Sequence, residues 1–234
     1  MALVDNCILW NKLGSAGEVT SSEIGQNGAW TGTPTYSACK FGNGSYSNNI
    51  GNYILIPDND FDQDNFIFEC WLKLDWSTPE VPPHWWVWWE PDGSNRFSTG
   101  LEGGNIYSYW RQNSGGGALN ISVAQSITGG DLNHFMLVCN RSGIAGGADT
   151  RRIYWNTTLI YNSATALNAS TAAAGNIKLL NHITTGGALN GVMDNLKIYN
   201  DTTQVTIDAI IANKDNEGWG GGAVATTDKM FLVM

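Results

Sequence analysis

Apolar residues come in short bursts along the chain, and within the bursts they tend to fall on every second position. The clearest case is FIFECWLKL (66–74), where Phe66, Phe68, Cys70, Leu72 and Leu74 alternate with Ile67, Glu69, Trp71 and Lys73. Successive side chains of a strand leave opposite faces, so this segment reads as a strand with one face in a core. The other face mixes charge with a large ring, which suits an exposed or groove-lining surface. Further runs rich in β-branched and aromatic residues predict strands at 7–13, 53–56, 84–89, 105–111, 119–124, 134–140, 152–160, 176–181 and 192–199. Gly, Asn, Ser or Pro punctuate them. Helical spacing is nearly absent before QVTIDAIIAN (204–213), which predicts one short helix near the C-terminus. Many strands without intervening helices predict an all-β, antiparallel β-sandwich. One domain is drawn over 1–213, and the Gly-rich remainder, 214–234, is an extension.

Length and composition narrow the function. A chain of 234 residues buries a sizeable core without metal or disulfide staples. Charged residues are only 14%, while Gly reaches 28 and Trp 11, which describes a neutral, turn-rich and aromatic molecule. Twelve basic against twenty-one acidic residues give −9, so nucleic acid, which requires a basic footprint, is excluded as a partner, and an anionic membrane surface is disfavoured. The first residues, MALVDNCILWNKLG, lack the basic and apolar regions of a signal peptide. No apolar run approaches the roughly eighteen residues of a membrane span, so no membrane insertion is expected. Cys7, Cys39, Cys70 and Cys139 lie far apart without a CxxC pair, which favours buried free thiols over a zinc site.

The order of segments resembles the laminin-G-like, or concanavalin-A-like lectin/glucanase, jelly-roll family. KFGNGSYSNN (40–49) leading to YILIP (53–57), then FIFECWLKL, LNHFMLVCN (132–140), RRIYWNTTLI (151–160) and LNGVMDNLKIYN (189–200) follow the family's order, and 204–213 falls where the family has its terminal helix. The resemblance covers roughly 7–213. Asn156 and Thr157 stand where the family has an Asn-Gly turn. The resemblance implies a jelly roll and, in many members, a structural Ca2+ near an acidic residue of the strand containing Asp194. A calcium cofactor at Asp194 is therefore expected from the resemblance, against the alternative that Asp194 accepts backbone hydrogen bonds.

Catalytic patterns are poorly met. Glycoside hydrolysis requires two carboxylates flanking the bond; Glu90-Pro91-Asp92 begins such a pattern, but the second glutamate is missing, and Pro91 points to a turn. His84, His134 and His182 have no metal spacing, and His134 reads as a hydrogen-bonded structural residue. Asp58, Asp60, Asp62 and Glu69 match positions 1, 3, 5 and 12 of a calcium loop, yet Gln63 replaces its glycine and Glu69 lies within a strand, so the match is coincidental.

The individual feature is HWWVWWEPDG (84–93), joined by Trp71, Trp76 and IYSYWR (106–111). Strict alternation places His84, Trp86 and Trp88 on one face and Trp85, Val87 and Trp89 on the other. One set is core, and the other forms either an aromatic surface or a layer buried beneath a loop or subunit. Flat rings beside polar groups suit a sugar's apolar face and hydroxyls, making Trp86, Trp88, Trp89, Tyr109, Trp110 and Arg111 the candidate ligand-binding residues. The expected function is a non-enzymatic surface or adhesion module that binds glycans weakly and multivalently, assembled as a homo-oligomer. The alternative is a structural virion protein, a phage capsid decoration or tail component, packing against self or virion subunits. The corresponding location is a virion or the cell surface and extracellular space.

Overall fold

The computed structural model describes residues 3–58, 61–76, 84–92, 95–102, 104–112, 116–167, 169, 175–181 and 187–218, with backbone alone at 92, 102, 110–112 and 116–121. Among these residues the strands are β1 (Cys7–Asn11), β2 (Ala29–Thr31), β3 (Tyr36–Cys39), β4 (Gly42–Ser47), β5 (Tyr53–Pro57), β6 (Asn65–Leu74), β7 (His84–Asp92) and β8 (Asn95–Glu102). They continue as β9 (Asn105–Gln112), β10 (Gly116–Ala124), β11 (Leu132–Asn140), β12 (Arg151–Trp155), β13 (Thr158–Ser163), β14 (Asn176–Leu179) and β15 (Gly191–Tyr199). Three short helices accompany them: α1 (Leu3–Asn6), α2 (Ala16–Thr20) and α3 (Gln204–Asn213). No described helix is long and apolar enough to cross a membrane.

Two antiparallel sheets make the expected sandwich. One runs β13-β12-β11-β6-β15-β4-β3 with β1 added against β15, and the other runs β10-β9-β8-β7-β14-β5-β2. The core between them takes Phe66, Phe68, Cys70, Leu72 and Leu74 of β6 together with Ile54, Ile56, Val87, Phe97, Phe135, Ile153, Ile177 and Leu179, all buried. The inward set of β6 is the alternating set read from the sequence. The outward set differs from expectation: Ile67, Glu69 and Trp71 are buried as well, at 0%, 2% and 5% exposure. The outer face of the eight-stranded sheet is therefore covered, not open. Ile207 and Ile210 of α3 pack on Ile67, Met136, Val138 and Tyr199 there, forming a second apolar layer. The segment after α3 continues the cover: the indole NH of Trp71 donates to Lys214 O at 3.0 Å, and Asn195 donates to Glu217 O at 3.2 Å.

The helix α3 begins where predicted because Thr203, extended in backbone, accepts the Thr206 amide and caps the first turn. The single strand expected over 152–160 is instead a hairpin. Asn156 and Thr157 take φ of 48° and 72°, the two positive values that a tight two-residue turn requires, and β12 folds back as β13. All four cysteines are free thiols, Cys7, Cys70 and Cys139 being buried.

Candidate functional site

The geometry of the tryptophan strand is set by bulges. Trp85 pairs with Gly100 and Val87 with Thr99, so Trp86 is an extra residue, and a second irregularity falls between Trp89 and Asp92. A side chain at Gly100 would place its Cβ 2.3 Å from His84 O, so the close approach of β7 requires glycine there. Because the bulge breaks the period of two, the faces are not those of strict alternation. Trp86, Val87 and Trp89 all enter the core between the sheets, while Trp85 and Trp88 belong to neither apolar cluster yet are themselves buried, at 7% and 3% exposure. Trp86 is fully buried and packs on Phe135 with ring centroids 5.2 Å apart. The indole NH of Trp89 is spent on the buried Asp58 carboxylate. As placed here, Trp86 and Trp89 are core residues, and their expected part in ligand binding has no surface to act through.

Trp88 is different. It pairs with Lys178 on one side and with Ser98 on the other, and Ser98 pairs with Tyr109. The guanidinium of Arg96 lies over both rings, 4.7 Å from the Trp88 centroid and 5.1 Å from that of Tyr109. Glu90 holds the arrangement from one end, accepting from Arg96 Nη2 and, at 3.2 Å, from the Trp88 indole NH. At the other end the Lys178 ammonium sits 3.8 Å from the Tyr53 ring centroid. Rings and cations thus alternate across five strands: Tyr53 on β5, Lys178 on β14, Trp88 on β7, Arg96 on β8 and Tyr109 on β9. Four strand spacings make this row about 19 Å long. Trp85 and Tyr107 flank it edge to face, at 5.7 Å.

Beside the row a cleft of about 210 Å³ is lined by Leu55, Trp88, Glu90, Pro91, Asn176 and Lys178. Burial lowers the Lys178 pKa, because the strand around it withholds water from the ammonium. Tyr53, Leu55, Tyr107 and Tyr109 are half-buried and present ring and aliphatic surface on the same side. Trp110 pairs in register with Phe97 and Arg111 with Arg96, but the side chains of both lie outside the described residues.

Other sequence candidates are scattered. Trp71 lies on the opposite sheet beneath Lys40, 4.5 Å from its ammonium. Trp76 stacks on His84 at 5.0 Å. Pro91 sits in a strand-end irregularity instead of a free turn, and Glu90 is tied up by Arg96 and Trp88. Asp58 is buried against Trp89, Asp62 caps the Asp64 amide at 2.9 Å, Glu69 is buried on β6, and Asp60 is outside the described residues. Those acids do not converge. His134 Nε2 donates to the Glu69 carboxylate at 3.1 Å, and Tyr199 OH donates to the same carboxylate at 2.9 Å. Burial pushes the Glu69 carboxyl up, and these partners with Lys197 more than offset that push, leaving its pKa below the usual value.

Asp194 is buried, and one carboxylate oxygen accepts the Phe41 amide at 2.8 Å. Burial pushes its pKa up to about 6. Ca2+ takes six to eight oxygen ligands, and among the described residues no three His, Cys, Asp or Glu side chains gather as a metal-binding group. The Asp194 carboxylate accepts a backbone hydrogen bond, the arrangement of the alternative reading of this residue.

Sequence reasoning missed Tyr53, Leu55, Arg96 and Lys178. A lone lysine inside the apolar run NIKLL was the available signal, since lysine is rarely buried without a task. Arg96 was hidden because its strand, NRFSTGLE, lacks a continuous apolar alternation.

These two sheets, with a covered back and an aromatic front, define a lectin-type jelly roll. The chain belongs to the concanavalin A-like lectin/glucanases superfamily, the Laminin_G_3 family model matching residues 47–206. A search of curated proteins returns no match. Among solved structures, domain 4 of AbnA, an extracellular GH43 arabinanase from Geobacillus stearothermophilus in complex with arabinotriose, is similar at 16% identity with a TM-score of 0.66, covering 88% of this chain and 99% of that one. The binding domain of botulinum neurotoxin DC in complex with SialylT gives 13% and 0.66, and that of Paraclostridial Mosquitocidal Protein 1 gives 14% and 0.67. Each covers 92% of this chain, which spans 52% and 53% of theirs. At these identities the likeness shows the shared fold.

Proposed function

We propose that the front of the seven-stranded sheet binds an oligosaccharide without turning it over. The observation that carries this reading is the 19 Å row of Tyr53, Lys178, Trp88, Arg96 and Tyr109 beside a cleft of about 210 Å³. Tyr53 and Tyr109 keep part of their ring surface exposed, while Lys178 and Asn176 line the cleft with hydrogen-bond donors. The alignment with the arabinanase domain, whose structure contains arabinotriose, supports the reading, and that domain matches this chain almost end to end. Glu90, bound by Arg96 and Trp88, serves to fix the rings instead of acting on a glycosidic bond.

Each stacked ring contributes on the order of 1 kcal/mol through roughly 40–50 Å² of covered apolar surface. The two half-buried rings of the row, Tyr53 and Tyr109, then give affinity weaker than about millimolar for one site. Adhesion at that strength relies on many copies presented together, at a cell surface or in an assembly, so arraying of copies belongs to the proposal.

A glycan panel probed with the wild-type chain and with Tyr53→Ala and Tyr109→Ala tests the reading. Both rings are half-buried, so the variants should melt near the wild-type midpoint yet lose at least threefold in affinity. Unchanged affinity in both would overturn the assignment of this face.

A further inference from the structure

We infer that the chain has a second carbohydrate site, a cleft at the end of the eight-stranded sheet that holds one neutral sugar residue by its hydroxyls. The inference goes beyond the reading of the front face, and the two clefts share no residue. This one measures about 280 Å³, and among the residues lining it are Asn65, Asn140, Ala145, Asp201, Thr203 and Val205. They come from the start of β6, the end of β11, the turn after it and the approach to α3. Hydrogen bonds between these segments set the walls. Asn140 Nδ2 donates to Thr202 Oγ1 at 2.7 Å, Thr202 Oγ1 donates to Asn65 Oδ1 at 2.9 Å, and Asn65 Nδ2 donates to Asn200 O at 2.7 Å. The Ala145 amide donates to Thr202 O at 3.1 Å, and Ala145 has φ of 54°, a left-handed position without glycine. Such a position persists only where its surroundings impose it, and these positions collect at ligand sites.

The polar groups keep capacity after these bonds are counted. A side-chain amide has two N–H donors, and a carboxylate has about four acceptor sites. Asn65 and Asn140 have each spent one N–H. Asp201 Oδ1 accepts the Thr203 amide at 3.0 Å, while Oδ2 takes Asn6, Thr203 and Thr206. The cleft thus offers donors and an acceptor together, which neighbouring sugar hydroxyls, each donor and acceptor at once, can meet. Val205, 75% exposed, and Ala145, also exposed, supply an apolar wall for the C–H face of the ring. Asp201 is the one charged group among the described lining residues, so an anionic ligand is repelled. A peptide strand pairs with a free sheet edge, and β6, β11 and β15 are interior strands. A chain with sugar sites on both sheets grips one polymer at two positions, and joint attachment compensates for weak single contacts.

The probes are the methyl glycosides of galactose, glucose, mannose and arabinose, with arabinotriose alongside, titrated into the full chain and read by amide and methyl NMR shifts. At least one should move the Asn65 and Asn140 side-chain amides and the Val205 methyls along a saturable curve. Val205→Asp puts a charge where the apolar wall stands, at an exposed first-turn position of α3 that tolerates an acid. Asn140→Asp removes the amide hydrogens and keeps an oxygen to accept the Ser142 amide. Each should weaken binding at the cleft at least threefold, with a melting midpoint near that of the wild type and unchanged shifts around Tyr109. Should Asn140→Asp fail to fold, Val205→Asp decides. Silence at 140–146 and 200–205 with every probe, or undiminished binding in Val205→Asp, would overturn the second site. Arabinotriose shifts on the front alone would leave the reading of that face standing, and arabinotriose shifts at the cleft alone would uphold the second site against it. A capped Gly-Ser-Gly peptide that moves the same cleft signals at the same concentration would overturn the assignment to sugar.

Discussion

At the scale of single residues, burial decides chemistry. Asp194 shows the rule most clearly, because its pKa of about 6 lies above the ordinary 3.8. A carboxyl raised in the fold is disfavoured in its charged form. Its contribution is therefore a cost at neutral pH that is relieved as pH falls from 6 towards 4, and the full shift corresponds to on the order of 2–3 kcal/mol. Asp194→Asn keeps an oxygen to accept the Phe41 amide and removes the charge. In EDTA its melting midpoint should exceed the wild-type value at pH 7.5, with the gap closing near pH 4. A lower midpoint at pH 7.5 would contradict the assignment and return attention to a cation at this carboxylate. Much at this scale was legible: His134 was expected to be structural, and it lies buried against Glu69. The tryptophans were half legible, because parity along HWWVWW fails at a bulge that no residue type announces. Tyr109 is half-buried on the outer side of the seven-stranded sheet and Trp88 is buried beside Arg96, while Trp86 and Trp89 go to the core.

Elements were readable where side chains repeat and obscure where backbone does the pairing. The helix α3 and strands β5, β6, β11 and β15 carry apolar periodicity or β-rich runs, and their expected ranges fall close to the observed ones. Strands β3 and β4, YSAC and GNGSYS, are held by edge pairing and by contacts such as Ser45 Oγ to Leu13 O at 2.7 Å, so no alternating apolar pattern marks them. Periodicity alone missed the hairpin of β12 and β13, whose turn only the family resemblance placed at Asn156 and Thr157. Its turn uses Asn156 and Thr157 in place of the expected glycine, and Thr157 bears φ of 72°. A β-branched residue in the left-handed region costs about 1–2 kcal/mol, of which glycine gives back part as backbone entropy. Thr157→Gly should therefore raise the melting midpoint by a few degrees, corresponding to about 0.5–1 kcal/mol. A midpoint unchanged or lowered would show that the turn is unstrained.

For the whole molecule, asymmetry between the two sheets organises function. The back of the eight-stranded sheet is closed by α3 and by residues 214–218, where Lys40 pairs with Asp215 at 2.6 Å and Lys12 with Glu217 at 3.6 Å. The front of the seven-stranded sheet instead carries the row of rings and cations. The described tryptophans, which first marked only a neutral β protein, divide among the packed core, this face and the covered back, where Trp10 and Trp71 lie. The most direct test is mapping of amide and indole NMR shifts during titration with an oligosaccharide from the panel. Perturbations of this face should grow along one weak binding curve, weaker than about millimolar, and centre on the Trp88 indole, residues 176–178 and the strands around Ser98 and Tyr109. Shifts centred on Trp71, Trp10 and α3, with the seven-stranded face silent, would contradict the account.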